Sequence, residues 1–194
     1  MSENLIIRIS NGLGNQLFMY ASAYGMSKKL NRKLLIDNES SFKSTKNISD
    51  YLLNNFNITS EIASDRYKFK SLYGYLKRKF LLKTDLFRKK KFFYIEKKNL
   101  KKITNYNDDF LNKFFNNNMY VEGYFESEKY FFNYKNSLLN EFKFKNPDIY
   151  QNNLYFNNIT KSNSVALCIR QNRYIEGLNN NNEINRKKKF KKNY

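Results

Sequence analysis

The first 37 residues carry the pattern that most restricts the fold of this chain. Residues 5–9 form an apolar, β-branched run, which predicts a strand. Gly12 and Gly14 follow and predict a tight loop, after which residues 17–30 contain no proline and predict a helix. Residues 33–37 predict a second strand. This order predicts the opening of a parallel α/β sheet with a right-handed crossover.

The predicted loop at residues 11–16 lies where ligands bind in such sheets, beyond the carboxyl end of a strand. Free backbone N–H groups and the helix dipole at that point favour an anionic or sugar-nucleotide ligand. The loop is not a dinucleotide fingerprint, because Leu17 stands where a third glycine is needed. It is not a phosphate-cradling P-loop either, because Asn15 and Gln16 replace its Gly-Lys pair. A plain strand-to-helix turn without a ligand is the alternative.

Composition narrows the function classes. The chain has 194 residues, enough for one ordinary domain, and a net charge of +19. Codons rich in A and T explain much of the excess of Lys, Asn, Phe, Tyr and Ile; the alternative is a surface that attracts lipid headgroups, nucleotide phosphates or nucleic acid. The single cysteine, Cys168, excludes an intramolecular disulfide, and the lack of histidine excludes His-based catalysis and His-ligated metals.

Residues 76–102 alternate basic and aromatic side chains. They predict either an interfacial amphipathic segment on an anionic membrane or an insertion whose aromatics pack on the domain while its lysines stay solvated. No stretch reaches the length of a membrane span, and the first residues do not resemble a signal peptide. We therefore expect a cytoplasmic protein, with peripheral attachment to the inner face of the cell membrane as a further option.

The second half of the chain predicts two more strands. Residues 119–122 predict a short one, followed by a helix from about 126 or 127 to 142, and residues 143–163 predict an Asn-rich connection. Residues 164–169 predict a buried strand that ends at Arg170, with Arg173 three residues on. A guanidinium at that position suits a diphosphate; an arginine in a surface ion pair is the alternative, and the residues alone favour it.

Three ordered blocks of sequence resemble the family-11 glycosyltransferases, the α-1,2-fucosyltransferases. The first is Gly12-Leu13-Gly14-Asn15-Gln16-Leu17-Phe18-Met19-Tyr20-Ala21, and the second is Gly123-Tyr124-Phe125-Glu126-Ser127-Glu128-Lys129-Tyr130-Phe131. The third is Cys168-Ile169-Arg170-Gln171-Asn172-Arg173-Tyr174, where the family usually has His-x-Arg-Arg-Gly-Asp-Tyr. Together they span roughly residues 4–178.

The resemblance implies a GT-B fold, in which two Rossmann-like lobes face each other across a cleft. It implies inverting transfer of L-fucose from GDP-fucose to the 2-hydroxyl of a galactoside, in surface polysaccharide synthesis and without a required metal or other cofactor. Arg170, assisted by Arg173, is expected to bind the donor diphosphate and to stabilise the charge that grows on departing GDP. The donor site would also include Gly12, Gly14, Asn15 and Gln16, with Asn15 and Gln16 hydrogen-bonding either the fucose or the acceptor.

The resemblance also implies a domain layout. Residues 1–160 would form the acceptor-side lobe, residues 161–178 the first strand and loop of the donor-binding lobe, and residues 179–194 an Asn- and Lys-rich tail without fixed structure. A complete second lobe needs ~100 residues or more, so we expect an incomplete enzyme that binds GDP-fucose poorly and transfers little. Cys168, Gln171 and Arg173 depart from the family pattern.

Three carboxylates near the blocks are candidates for the general base: Asp37, Glu122 and Glu126. The sequence does not choose among them, because a base must lie within hydrogen-bond reach of the acceptor hydroxyl.

Two functions without catalysis compete with the transferase. A basic nucleic-acid-binding module would use the charge and the aromatic residues of 76–102, although no helix-turn-helix, zinc-finger or RNA-binding signature accompanies them. A peripheral membrane protein would use the same segment on anionic lipids.

Overall fold

In the part of the chain that the structure describes, five strands form one sheet in which every neighbouring pair is parallel. The computed structural model describes residues 3–42, 50–96, 106–146, 153–165 and 167. The strands, in chain order, are β1 (Asn4–Arg8), β2 (Lys33–Asp37), β3 (Glu61–Ile62), β4 (Lys91–Ile95) and β5 (Phe115–Glu122). Their order across the sheet is β3-β2-β1-β5-β4, which places β1 at the centre. The prediction of a parallel α/β sheet is confirmed.

Four α-helices accompany the strands in the described residues: α1 (Leu13–Lys29), α2 (Ser71–Asp85), α3 (Lys135–Glu141) and α4 (Leu154–Thr160). The chain divides into two compact units, residues 1–147 and residues 148–194. The sheet and the first three helices belong to the first unit, and α4 belongs to the second.

Both faces of the sheet are buried under a hydrophobic cluster. Side chains alternate along each central strand, so successive residues belong to opposite clusters. On β1, Leu5 and Ile7 pack in the larger cluster with α1, whereas Ile6 faces the smaller cluster beside α2. The register pairs Ile7 with Ile36 of β2 and with Val121 of β5. These three side chains are fully buried in the larger cluster, so the centre of the sheet is apolar on the side that faces α1.

Helix α1 begins earlier than the sequence predicts. It starts at Leu13 instead of Leu17, so Gly14, Asn15 and Gln16 lie in its first turn and not in a loop. The reason is that Gly12 already has the extended conformation of an N-cap residue, and the N–H groups of a first turn need no helical partner. The glycine-rich loop is therefore shorter than predicted.

The basic and aromatic segment contains part of the sheet. Residues 71–85 form α2, and Phe93 and Tyr94 of β4 are buried next to β5. Asp85, the last residue of α2, links the helix to β4, because its carboxylate accepts from the backbone N–H groups of Phe92 (2.7 Å) and Phe93 (3.0 Å). The aromatics of β4 thus pack on the domain while the lysines of 77–90 stay exposed, but the prediction missed that this segment supplies a strand.

The helix predicted for about 126–142 is wrong in its first half. Two short 3-10 turns, Glu128–Tyr130 and Phe132–Tyr134, precede α3. They set the ring of Tyr130 into the core, where its hydroxyl oxygen accepts from the backbone N–H of Asn107 (3.0 Å). The same turn brings the Tyr130 carbonyl oxygen close to Gly25 of α1.

The second unit departs from the predicted connection at 143–163. Helix α4 lies inside it and begins where the Asn153 side chain accepts from the N–H of Tyr155, which is an N-cap. Of the buried strand predicted at 164–169, the structure describes Ser164, Val165 and Leu167, and it assigns no strand to them. Val165 and Leu167 are exposed, because a β-branched run is buried only when other strands flank it.

Several predicted features lie outside the described residues. Cys168, Arg170, Gln171 and Arg173 are among them, as is the tail at 179–194. None of the helices in the described part of the chain combines the length and the hydrophobicity that crossing a bilayer requires.

Candidate functional site

Two loops meet at the carboxyl edge of the sheet, between β1 and β5. The Asn11 side chain donates from Nδ2 to the Tyr124 hydroxyl oxygen at 2.7 Å, which joins the loop after β1 to the loop after β5. The chain leaves β1 for β2 on one side, and β5 lies on the other, so this is the position where open α/β sheets bind ligands. We call residues 11–16 and 123–126 the edge site.

The N-terminus of α1 opens into this site. Its N-cap residue, Gly12, provides no side-chain cap, and no acidic residue lies in the first turn. A methyl group added at Gly12 or at Gly14 would meet no atom within 4 Å, so the space in front of both glycines is open. Unpaired N–H groups and the positive end of the helix dipole therefore face an accessible region, an arrangement that favours a phosphate, a carboxylate or a sugar hydroxyl.

Gln16 holds this end of the helix in place. Its side chain is fully buried, and Nε2 donates to the carbonyl oxygens of Asn11 (2.6 Å) and Asp50 (2.8 Å). Its Oε1 accepts from the N–H of Leu52 (2.9 Å). The Gln16 amide thus forms its hydrogen bonds within the protein and is not exposed to a ligand. Asn15 beside it is half-buried and partly accessible to solvent. Of the two amides predicted to contact a sugar, Asn15 is the one nearer to solvent.

The loop after β5 is fixed by one carboxylate. Glu96, which follows β4, accepts from the N–H groups of Tyr124 (2.7 Å) and Phe125 (3.0 Å). Gly123 lies so close to Glu96 that an added methyl carbon would be 2.4 Å from its Cβ, so no larger residue fits there. The sequence offers no signal for this contact, because Glu96 lies 28 residues from Tyr124.

Both loops contain a residue in the left-handed backbone region. Asn11 has φ 62° and Phe125 has φ 49°, values that side chains other than glycine rarely adopt. Such conformations cost about 1–3 kcal/mol each and persist when their surroundings fix them. Phe125 is held by full burial and by stacking on Tyr94, with ring centroids 5.9 Å apart. Asn adopts this region more readily than other non-glycine residues, so the strain lies at Phe125, where packing holds the loop after β5 in place.

The three candidate bases differ in exposure. Asp37 is fully buried, and its carboxylate accepts from the hydroxyl groups of Tyr120 and Ser40. Glu122 is buried between two arginines. Glu126 is exposed and belongs to the edge site. The first two carboxylates are committed to the structure, which leaves Glu126 as the accessible one of the three.

Arg8 and Arg78 form a cationic pair that the sequence analysis missed. Arg78 donates from Nε to Glu122 (2.7 Å), and this bond raises the pKa of its guanidinium. Arg8 contacts the same carboxylate through Nη1 at 3.2 Å and the Ser40 carbonyl oxygen through Nη2 at 3.3 Å. Two guanidinium groups thus share one carboxylate, which leaves a net positive charge. The sequence carried a signal for Arg8 alone, because Arg8 ends a buried strand as Arg170 was predicted to do.

Glu39, which follows β2, makes the fold sensitive to acid. Hydrogen bonds from Lys68 (2.7 Å) and Lys70 (3.0 Å) lower its pKa from 4.5 to about 2. A carboxylate with a lowered folded pKa contributes stability that is present above pH 4.5 and is lost as the pH falls toward 2. We expect the urea midpoint of the wild-type chain to fall across this window, and the fall to be smaller in Glu39→Gln. Glu61→Gln, in the exposed pair with Lys33, should keep the wild-type dependence. If the urea midpoint falls equally with pH in wild type and in Glu39→Gln, Glu39 is not the source of the acid sensitivity.

Comparisons with known proteins do not add to this geometry. No protein-family model matches the chain, and no curated protein or solved structure matches it either. The likeness to family-11 glycosyltransferases thus rests on the three sequence blocks. Two of them, at Gly12 and Gly123, begin in the two loops that the fold brings together. Within the described ranges, no three Asp, Glu or Cys side chains are grouped closely enough to hold a metal ion.

Proposed function

We propose that this chain supplies the acceptor-side lobe of an inverting transferase that moves L-fucose from GDP-fucose to the 2-hydroxyl of a galactoside during surface glycan synthesis. The observation that supports it is the edge site. Two sequence blocks that lie more than a hundred residues apart meet there through Asn11 and Tyr124, in front of an open helix N-terminus. The edge site lies at the carboxyl edge of a Rossmann-like sheet, where the strands on the two sides of β1 are β2 and β5. Such a position suits a sugar or nucleotide ligand.

The proposal gives each residue of the edge site a role. Gly12 and Gly14 let the sugar approach the backbone N–H groups of α1, and Asn15 hydrogen-bonds a hydroxyl group. Gln16 is a positioning residue, because its amide fixes the loop that carries Asn11. Glu126 takes the proton of the acceptor 2-hydroxyl as the new bond to the anomeric carbon forms and the bond to GDP breaks.

Arg170 and Arg173 complete the proposed chemistry. A planar guanidinium forms two parallel hydrogen bonds to a diphosphate, and it stabilises charge that develops as GDP departs. In this proposal GDP-fucose is the donor substrate and the galactoside the acceptor. A cytoplasmic location at the inner membrane face would give the enzyme access to both.

Binding of lactose to the full chain tests the acceptor site. We expect lactose to shift the backbone amide NMR signals of Gly12, Gly14 and Tyr124, and Asn15→Ala to weaken this binding about fivefold, because one hydrogen bond contributes roughly 1 kcal/mol. Asn112→Ala, an exposed amide outside the edge site, serves as the matched control and should bind like wild type.

Two outcomes would contradict the proposal. One is an identical response to maltose, which lacks galactose. The other is the absence of label transfer to the 2-hydroxyl of lactose, where we expect transfer, after incubation with radiolabelled GDP-fucose at protein concentrations that detect slow turnover. If no label is transferred and no lactose-specific shifts are seen, the edge site does not bind the substrate assigned to it. If shifts are seen without transfer, the acceptor site is retained and catalysis by this chain is rejected.

A further inference from the structure

Helix α2 exposes an apolar stripe in addition to the side that packs on the sheet. Leu72, Leu76 and Phe80 follow one another at intervals of four residues, so they form one stripe, and they are 75%, 56% and 65% exposed. The opposite side carries Gly74 and Asp85, which are buried. A helix that packs on a sheet normally buries its apolar stripe and exposes polar residues. In α2, Leu81 and Leu82 pack partly buried against the smaller cluster, and a second apolar stripe faces solvent.

The apolar stripe continues beyond the helix and is bordered by cations. Leu86 and Phe87, in the turn after α2, are 75% and 90% exposed. Six exposed basic residues surround these side chains: Lys77, Lys79, Lys83, Arg88, Lys89 and Lys90. The single acidic residue of 71–90, Asp85, is buried and accepts from Phe92 and Phe93. We call the exposed side of residues 72–90 the α2 face.

We propose that the α2 face binds the surface of an anionic lipid membrane. Leucine and phenylalanine side chains at such a face enter the boundary between headgroups and acyl chains, while lysines contact lipid phosphates. The inference does not depend on the transferase proposal, since it concerns a different surface of the first unit.

Two other occupants fit the α2 face less well. Nucleic acid would pair with the lysines and stack on aromatic rings, but it would leave Leu72 and Leu76 exposed to water. A second copy of the chain would cover the apolar stripe, but a symmetric interface would bring the six cations of each copy against those of its partner. An anionic bilayer offers an apolar layer and negative charge together.

Sedimentation with lipid vesicles tests the proposal on the full chain. We expect binding to vesicles in which about a third of the phosphatidylcholine is replaced by phosphatidylglycerol, and little binding to phosphatidylcholine alone. The double variant Leu76→Ser and Phe80→Ser should weaken binding about tenfold or more, because it removes apolar side chains that enter the interface. Both positions are exposed, so the circular dichroism spectrum should not change.

Matched controls separate the α2 face from general charge and stickiness. Phe132 and Leu139 are also exposed, at 63% and 56%, but they line a separate apolar groove of about 260 Å³ beside α3. The double variant Phe132→Ser and Leu139→Ser should bind vesicles like wild type. Likewise, Lys77→Glu with Lys83→Glu should weaken binding more than Lys135→Glu with Lys143→Glu, although the net charge changes equally.

Three results would overturn the proposal. The first is a folded Leu76→Ser and Phe80→Ser variant that binds anionic vesicles as wild type does. The second is tight binding of a single-stranded oligonucleotide that depends on Lys77 and Lys83, does not depend on the two apolar residues and is accompanied by no vesicle binding. The third is a wild-type chain that is dimeric in sedimentation equilibrium and does not bind vesicles, together with a Leu76→Ser and Phe80→Ser variant that is monomeric.

Discussion

Gln16→Glu should lower the free energy of unfolding by about 3 kcal/mol or more at neutral pH. The substitution keeps the shape of the side chain, so it creates no cavity. It replaces the Nε2 donor with a carboxylate oxygen that faces the carbonyl oxygens of Asn11 and Asp50, in a fully buried position. Urea unfolding followed by circular dichroism measures the loss.

The pH dependence of this loss identifies its cause. Burial and two facing carbonyls raise the pKa of the introduced Glu side chain, since they disfavour its charged form. A group whose folded pKa is raised stabilises the fold below its unfolded pKa, and this contribution disappears as the pH rises through the folded pKa. The loss in Gln16→Glu should therefore be smaller at about pH 5 than at about pH 8.

Asn15→Asp is the matched control, because it makes the same chemical change at the neighbouring residue. Asn15 is half-buried in the first turn of α1, where a negative charge interacts favourably with the helix dipole. We expect it to leave the stability unchanged or to raise it by about 0.3–1 kcal/mol. A similar loss in both variants would mean that the added charge, and not the buried hydrogen bonds of Gln16, causes the effect.

The centre of the sheet was predictable because its strands are buried on both faces. Such strands have nearly continuous apolar sequences, so residues 5–9 and 33–37 stand out from a polar, lysine-rich chain. The predicted range 33–37 matches β2, and the predicted β1 is shifted by one residue. The carboxyl half of β5 was found at 119–122 for the same reason, whereas its first half contains three consecutive asparagines and gives no strand signal.

The errors arose where long-range contacts decide the local structure. Residues 91–95 lie at the end of a lysine-rich stretch, and only pairing with β5 makes them a strand. The turns at 128–134 replace a helix because Tyr130 is drawn into the core. Glycines at 12 and 14 predicted a loop, although Gly14 belongs to the first turn of α1.

The edge site was predictable in its location but not in its details. A strand, glycines and a helix fix where the site lies, because ligands bind at the carboxyl edge of parallel sheets. Whether an amide faces a ligand or the backbone depends on distant partners, and Gln16 reaches Asp50, which is 34 residues away. The pairing of Arg8 with Glu122 spans 114 residues, so no local pattern reveals it.

Gly25→Ala should produce the other large loss of stability, about 3 kcal/mol, which lowers the melting temperature by about 10 °C. Gly25 lies on the side of α1 that packs against the turn at Glu128–Tyr130. A methyl group there would be 2.0 Å from the Tyr130 carbonyl oxygen and 3.1 Å from the Phe131 Cα. These are backbone atoms, so the clash cannot be relieved by a side-chain rotation, and α1 must separate from the turn. Thermal unfolding followed by circular dichroism measures the shift.

Gly14→Ala is the control within the same helix, because a methyl group at Gly14 meets no atom within 4 Å. Alanine is the better helix former, so this variant should be as stable as wild type or more stable by up to about 1 kcal/mol. If both variants lost stability equally, glycine would be needed in α1 for backbone conformation and not for close packing at Gly25. If neither lost any, α1 and the turn at Glu128–Tyr130 would have to lie farther apart than the structure places them. If only Gly25→Ala loses stability, glycine is needed at residue 25 for close packing. Gly14 is then not needed for stability, and its lack of a side chain keeps the space at the edge site open.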